Sequence, residues 1–190
     1  MEQNQKLTTR KIVFVALMAA LTTVASGFRI KLPVSIAGTT AFHLGNIFCA
    51  LSGILLGPWL GGLAAGMGSA IFDIFVDPTY MDEAWITFIM KGAYGVVSGL
   101  VAVAGRKEWK FSKNTVAAVA GAITYAVLYL GKSYFYGGML KQGLTASAAW
   151  LVVIDKLPAT IFNAVVAVIF APILATAIQK ALQKNHLTIE

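Results

Sequence analysis

Charge is scarce in this chain: Asp, Glu, Lys and Arg make up 12% of its 190 residues, against 58% hydrophobic residues and a mean hydropathy of +0.76. That scarcity excludes a disordered protein and argues against a water-soluble globule. Cysteine is almost absent, and the single Cys49 cannot close a disulfide within the chain. No Cys or His cluster has metal-ligating spacing, so neither a zinc centre nor a redox pair is expected, and no cofactor. Catalytic signatures are missing as well: there is no H-E-x-x-H, no G-x-S-x-G and no paired helical Glu-x-x-His. An enzyme is therefore not expected.

What is present is a series of apolar runs, near 11–27, 42–57, 59–77, 84–104, 115–136 and 147–178. Gly57-Pro58 separates the second from the third, Asp77-Pro78 ends the third, and Arg106 to Lys110 divides the fourth from the fifth. A spanning helix needs roughly 20 apolar residues. The expectation is an all-α membrane protein, a six-transmembrane-helix bundle filling residues 1–190 as a single domain. The net charge of +7 supports that reading through its placement. With a cytoplasmic N-terminus, nine of the 15 Lys and Arg fall inside (Lys6, Arg10, Lys11, Arg106, Lys107, Lys110, Lys113, Lys180, Lys184) and three outside (Arg29, Lys31, Lys141). Such a bias predicts both termini cytoplasmic. Although the first run has a basic start and Ala25-Ser26-Gly27 near its end, it is expected as a span rather than a cleaved leader.

Five ionisable residues lie inside the runs: Asp73, Lys91, Lys132, Asp155 and Lys156. Each is costly there unless it faces a partner or a wet cavity. In the predicted topology all of them fall in the outer half, which implies a polar cavity open to the outside. Tyr125, Tyr129, Lys132 and Tyr136 are spaced four, three and four apart and share one helical face, a combination suited to a planar, partly polar ligand. The last run adds Trp150, Asp155, Lys156 and Asn163; Asp155 and Lys156 diverge by about 100°, so at most one of them faces the cavity centre. His43 and Asn46 sit one turn apart at the start of the second run, and the connection from Arg29 to Thr40 is long enough for a lid or a surface loop. Glycines four apart, such as Gly53/Gly57/Gly61 and Gly95/Gly99, predict close helix packing. No long internal repeat is visible, which argues against inverted-repeat carriers.

Ala126 to Ser133 matches a permissive nucleotide-loop pattern, but Val-Leu-Tyr-Leu continues an apolar span where a flexible turn is required, so any ATP must be bound by other subunits. The segment Ala16-Leu17-Met18-Ala19-Ala20-Leu21, together with the chain length, the basic start, the long first outer connection and the Gly-rich second and third runs, resembles the substrate-binding S components of energy-coupling factor (ECF) ABC vitamin transporters. His43-Leu44-Gly45-Asn46 and Met90-Lys91-Gly92 add to the likeness. The resemblance implies a multi-pass protein of a prokaryotic plasma membrane that captures a vitamin or precursor and topples beside a membrane coupling subunit driven by two cytoplasmic ATPase subunits. It implies docking through Ala16 and Ala20, and ligand contacts from the first outer loop and the outer parts of spans four to six, where Trp85, Lys91, Tyr125, Tyr129, Lys132, Trp150 and Asp155 fall. The expected ligand is a small pyridoxine-like or hydroxymethylpyrimidine-like ring. A self-sufficient ion-coupled carrier, using Asp73, His43 or Asp155 as a proton site, is the alternative; a membrane-embedded enzyme is a third reading, without an assembled site.

Overall fold

The computed structural model describes residues 8–34, 38–105 and 109–185. Helix α1 (Thr9–Gly27) starts at Thr8, whose hydroxyl accepts from the Lys11 amide at 3.4 Å. It leads into strands β1 (Arg29–Val34) and β2 (Gly38–His43), an antiparallel pair with Arg29 opposite His43. Helices α2 (Gly45–Leu56) and α3 (Pro58–Ile71) follow, the latter continuing as a π-helical segment, Phe72–Val76. A 3-10 turn (Pro78–Glu83) precedes α4 (Ala84–Val103), then come α5 (Phe111–Lys132), a second π-helical segment (Ser133–Lys141) and α6 (Ala146–Lys184).

Five of these helical units are long and apolar enough to cross a membrane; α2, with 12 residues, is shorter. At 1.5 Å per residue it rises about 18 Å, less than the roughly 30 Å of a hydrocarbon core. The second apolar run thus differs from its expected bounds: Phe42 and His43 belong to β2, and the helix begins only at Gly45. The connection expected as a loop is a hairpin, because Arg29-Ile30-Lys31-Leu32 alternates polar and apolar residues with the period of a strand. Lys6, Arg106 and Lys107, which entered the charge balance, lie outside the described residues.

The packing core sits where α2, α3 and α4 cross, with α3 on α4 the most extensive contact. Glycine makes the approach possible. A Cβ on Gly95 would lie 2.7 Å from the Gly61 carbonyl oxygen, and one on Gly66 at 2.7 Å from that of Phe88. Backbone thus meets backbone, where dispersion and not water drives association. The α2–α3 corner turns on Gly57, whose φ of 78° a side chain would resist, followed by Pro58 in the first turn of α3. At one end of the bundle, near Lys110 and Lys180, the Asn114 amide nitrogen donates to Gln179 at 2.8 Å, tying α5 to α6. The hairpin lies at the opposite end, against α6 and α1.

Candidate functional site

A cavity of about 460 Å³ opens at the hairpin end. Three helices line it with side chains spaced three or four apart, the interval that keeps them on one face: Thr87 and Lys91 from α4; Tyr125, Tyr129 and Lys132 from α5; Lys156, Thr160 and Asn163 from α6. The hairpin adds Arg29, Thr40, Ala41 and His43, and the segments around the end of α3 add Ser69, Phe72, Asp73, Tyr80 and Glu83.

The walls are aromatic. Tyr125 stacks on Tyr129 with ring centroids 5.6 Å apart and on Tyr94 at 5.8 Å, so a column of rings runs from the cavity into the core. Lys91 places Nζ 3.9 Å from the Tyr125 centroid and donates to the Asn46 side-chain oxygen. Both residues are buried. Asn46 therefore stands behind the wall and fixes the ammonium, while the lysine itself lines the cavity. Asp73 accepts a hydrogen bond from Thr87, and Tyr129 shares one with Thr40 across the α5–β2 boundary. Lys132 pairs with Glu83, which also accepts from Lys141 at 3.1 Å.

The hairpin is fastened at both edges. Asn163 of α6 accepts from the His43 backbone amide at 2.9 Å and donates to the Ala41 carbonyl at 2.8 Å. His43 turns inward, its Nδ1 accepting from the Gly45 amide at 3.2 Å. On the β1 side, Asp77 binds Arg29 at 3.0 Å and Lys31 at 2.8 Å, and the Arg29 guanidinium lies 4.0 Å over the Phe72 ring. Asp77 lies between the helical spans. Burial pushes its carboxyl up, but hydrogen bonds from Lys31 and Thr79 and the charges of Lys31 and Arg29 outweigh that and hold it below the ordinary carboxylate range.

Of the residues singled out from sequence, His43, Lys91, Tyr125, Tyr129, Lys132 and Asn163 meet at this cavity. Trp85 and Trp150 do not line it; they are 61% and 58% exposed on the bundle's outer surface. The reason is rotational: each precedes a cavity-facing lysine, Lys91 or Lys156, by six positions, which at 100° per residue puts it about 120° away around its helix. Asp155 is partly buried and outside the lining, while its neighbour Lys156 faces in. Glu83 was not singled out from sequence, and Arg29 and Thr40 entered only as the ends of the first outer connection, expected to supply a lid or ligand contacts without individual roles. The strand alternation around Arg29 was available as a signal, whereas the pairing of Glu83 with Lys132 spans 49 positions and left none.

A Pyrococcus woesei protein described as "Uncharacterized protein in gap 3'region" is 29% identical over 119 residues, 63% of this chain and 74% of its own length. The family profile described as "ECF-type riboflavin transporter, S component" matches residues 6–180. Since that match takes in α1 to α5, α6 as far as Lys180 and all of the cavity, the chain belongs to this family of membrane-embedded, non-enzymatic S components, the vitamin-binding capture subunits of ECF transporters.

Proposed function

We propose that the protein spans a prokaryotic plasma membrane six times with both termini in the cytoplasm, and captures a small heteroaromatic vitamin or precursor from outside. The ring is of the pyridoxine or hydroxymethylpyrimidine kind. The observation that carries this reading is the cavity: a Tyr125–Tyr129 shelf with Lys91 against one ring, hydrogen-bonding groups around it and a hairpin fastened at its rim. An aromatic shelf accepts a flat ring by offset stacking, and lysine and threonine groups match ring nitrogens and hydroxyls. Among the residues named from sequence, Lys91, Tyr125, Tyr129, Lys132, Asn163 and His43 would touch or frame the ligand, with Asn46 positioning Lys91.

Delivery inward then depends on partners. The S component topples beside a membrane coupling subunit, and two cytoplasmic ATPase subunits supply the energy. Ala16 and Ala20 share an exposed face of α1 with Val13 and Leu17, a low-relief apolar surface on which a partner helix can approach closely. The matching family's description favours a second ligand, riboflavin, whose three fused rings would extend farther along the tyrosine column.

Native mass spectrometry of the detergent-purified protein, produced without partners in vitamin-rich medium, tests the reading. A stoichiometric one-ring vitamin is the expected passenger, and riboflavin would establish the second ligand. An empty protein that also binds nothing from a vitamin panel would overturn the capture role. Replacing Tyr129 with Ala is expected to weaken binding by about tenfold, from a stacking loss of about 1.4 kcal/mol.

A further inference from the structure

The charges that line the cavity do not balance. Arg29 is held by Asp77, Lys132 and Lys141 both reach Glu83, and Lys91 is held by the Asn46 amide with the Asp73 carboxylate nearby. Lys156 is different. It is 9% exposed, lines the cavity, and forms no ion pair among the described residues. The charges that bear on it most are those of Lys132, Glu83 and Lys141, and Glu83 is already shared by the other two. Its nearest organised contact is the Tyr129 ring, 5.7 Å from Nζ, near the outer limit of a cation–π interaction. An ammonium buried in a cavity wall is costly unless water or an opposite charge meets it, and a ligand that fills the cavity displaces the water.

We infer that the missing opposite charge comes with the ligand: Lys156 receives an anionic oxygen group, a carboxylate or phosphate ester, carried by the ring that lies on Tyr125 and Tyr129. The inference rests on the capture function proposed above and narrows the substrate to acid-bearing heteroaromatics. Lys156 and Tyr129 are spatial neighbours, so a ring on the tyrosine shelf brings its substituent to Nζ. Thr160, one turn along α6, lines the same wall, but its hydroxyl is engaged by the Lys156 carbonyl at 2.9 Å, leaving the ammonium as the group with unspent capacity there.

The test is isothermal titration of the whole protein in lipid nanodiscs with matched probes: pyridoxine, 4-pyridoxic acid and pyridoxine 5′-phosphate. The expected result is that at least one acid binds tenfold or more tightly than pyridoxine, and that the advantage disappears in Lys156→Gln and returns in Lys156→Arg. A helical circular dichroism spectrum and a thermal unfolding midpoint like the parent's report that the Gln variant folds, independently of what it binds. Equal or tighter binding of pyridoxine by the parent, or an acid preference that survives Lys156→Gln, overturns the inference and leaves the capture function standing. If no probe binds and a wider vitamin panel fails as well, both fall.

Discussion

Lys91 keeps its ammonium inside the bundle through the Asn46 oxygen and the Tyr125 ring, so Asn46 supports the site although it does not line the cavity. In Asn46→Leu the ammonium loses its oxygen partner while remaining buried, a loss of about 1–3 kcal/mol. The thermal unfolding midpoint in detergent should fall accordingly, and ligand affinity with it. Asp77 acts at the same scale on the hairpin. Its carboxyl titrates lower in the folded protein than in the unfolded chain, so its contribution is complete above the unfolded value of about 3.9 and is lost as pH falls through the lower folded value. Protease protection of the hairpin should therefore differ between the parent and Asp77→Asn at neutral pH, with the parent better protected, and the two should converge in strong acid. A pH-independent difference would show that Asp77 holds Arg29 and Lys31 by something other than charge.

Among the elements, α5 was the most legible in sequence. Tyr125, Tyr129 and Lys132 fall on one face by spacing alone, and the structure turns that face inward. A separate rule, that a charge within an apolar helix must find a polar neighbourhood, singled out Lys91 and the Asp155–Lys156 pair; the expected ligand contact of that pair was Asp155, whereas Lys156 lines the cavity. Tyr136 departs from the pattern: it sits in the π-helical segment after α5, whose wider turn breaks the 100° step, with Lys132 Nζ 5.8 Å from its ring. The hairpin was less legible, since Pro33 interrupts its alternation and argues against a strand. Glycine spacing foretold close helix contact without saying which pairs meet; the structure selects Gly95 against Gly61. Gly95→Ala is expected to cost about 1–3 kcal/mol by overpacking. Gly131→Ala, in α5 with nothing within 4 Å of the added methyl, should be neutral or slightly stabilising. Thermal melting of the pair separates a packing role from a general intolerance of substitution.

The molecule as a whole has a polar cavity at one end and a lysine-flanked Asn114–Gln179 clamp at the other, a polarity that makes its orientation testable. Cys49 is the only cysteine and is fully buried, so the parent offers a silent background for thiol labelling. A cysteine placed at exposed Gln142, at the cavity rim, should react with a membrane-impermeant maleimide in intact cells. One placed at exposed Lys184 should react only after permeabilisation. The reverse pattern would invert the proposed topology and place the cavity mouth in the cytoplasm.

Helix α6 also works as a ruler. Its 39 residues rise about 58 Å at 1.5 Å per residue, and the stretch from Lys156 at the cavity to Gln179 at the clamp accounts for about 35 Å of that. A hydrocarbon core of roughly 30 Å fits between those two points. In the topology proposed above, that spacing would set Lys156 and the clamp near the two headgroup levels, clear of the oily midplane. Membranes of a different thickness disturb that match, drawing one polar end into the acyl chains or forcing the bundle to tilt. Acyl-chain length thus becomes a setting on the binding site, one that the surrounding lipid imposes without touching the ligand.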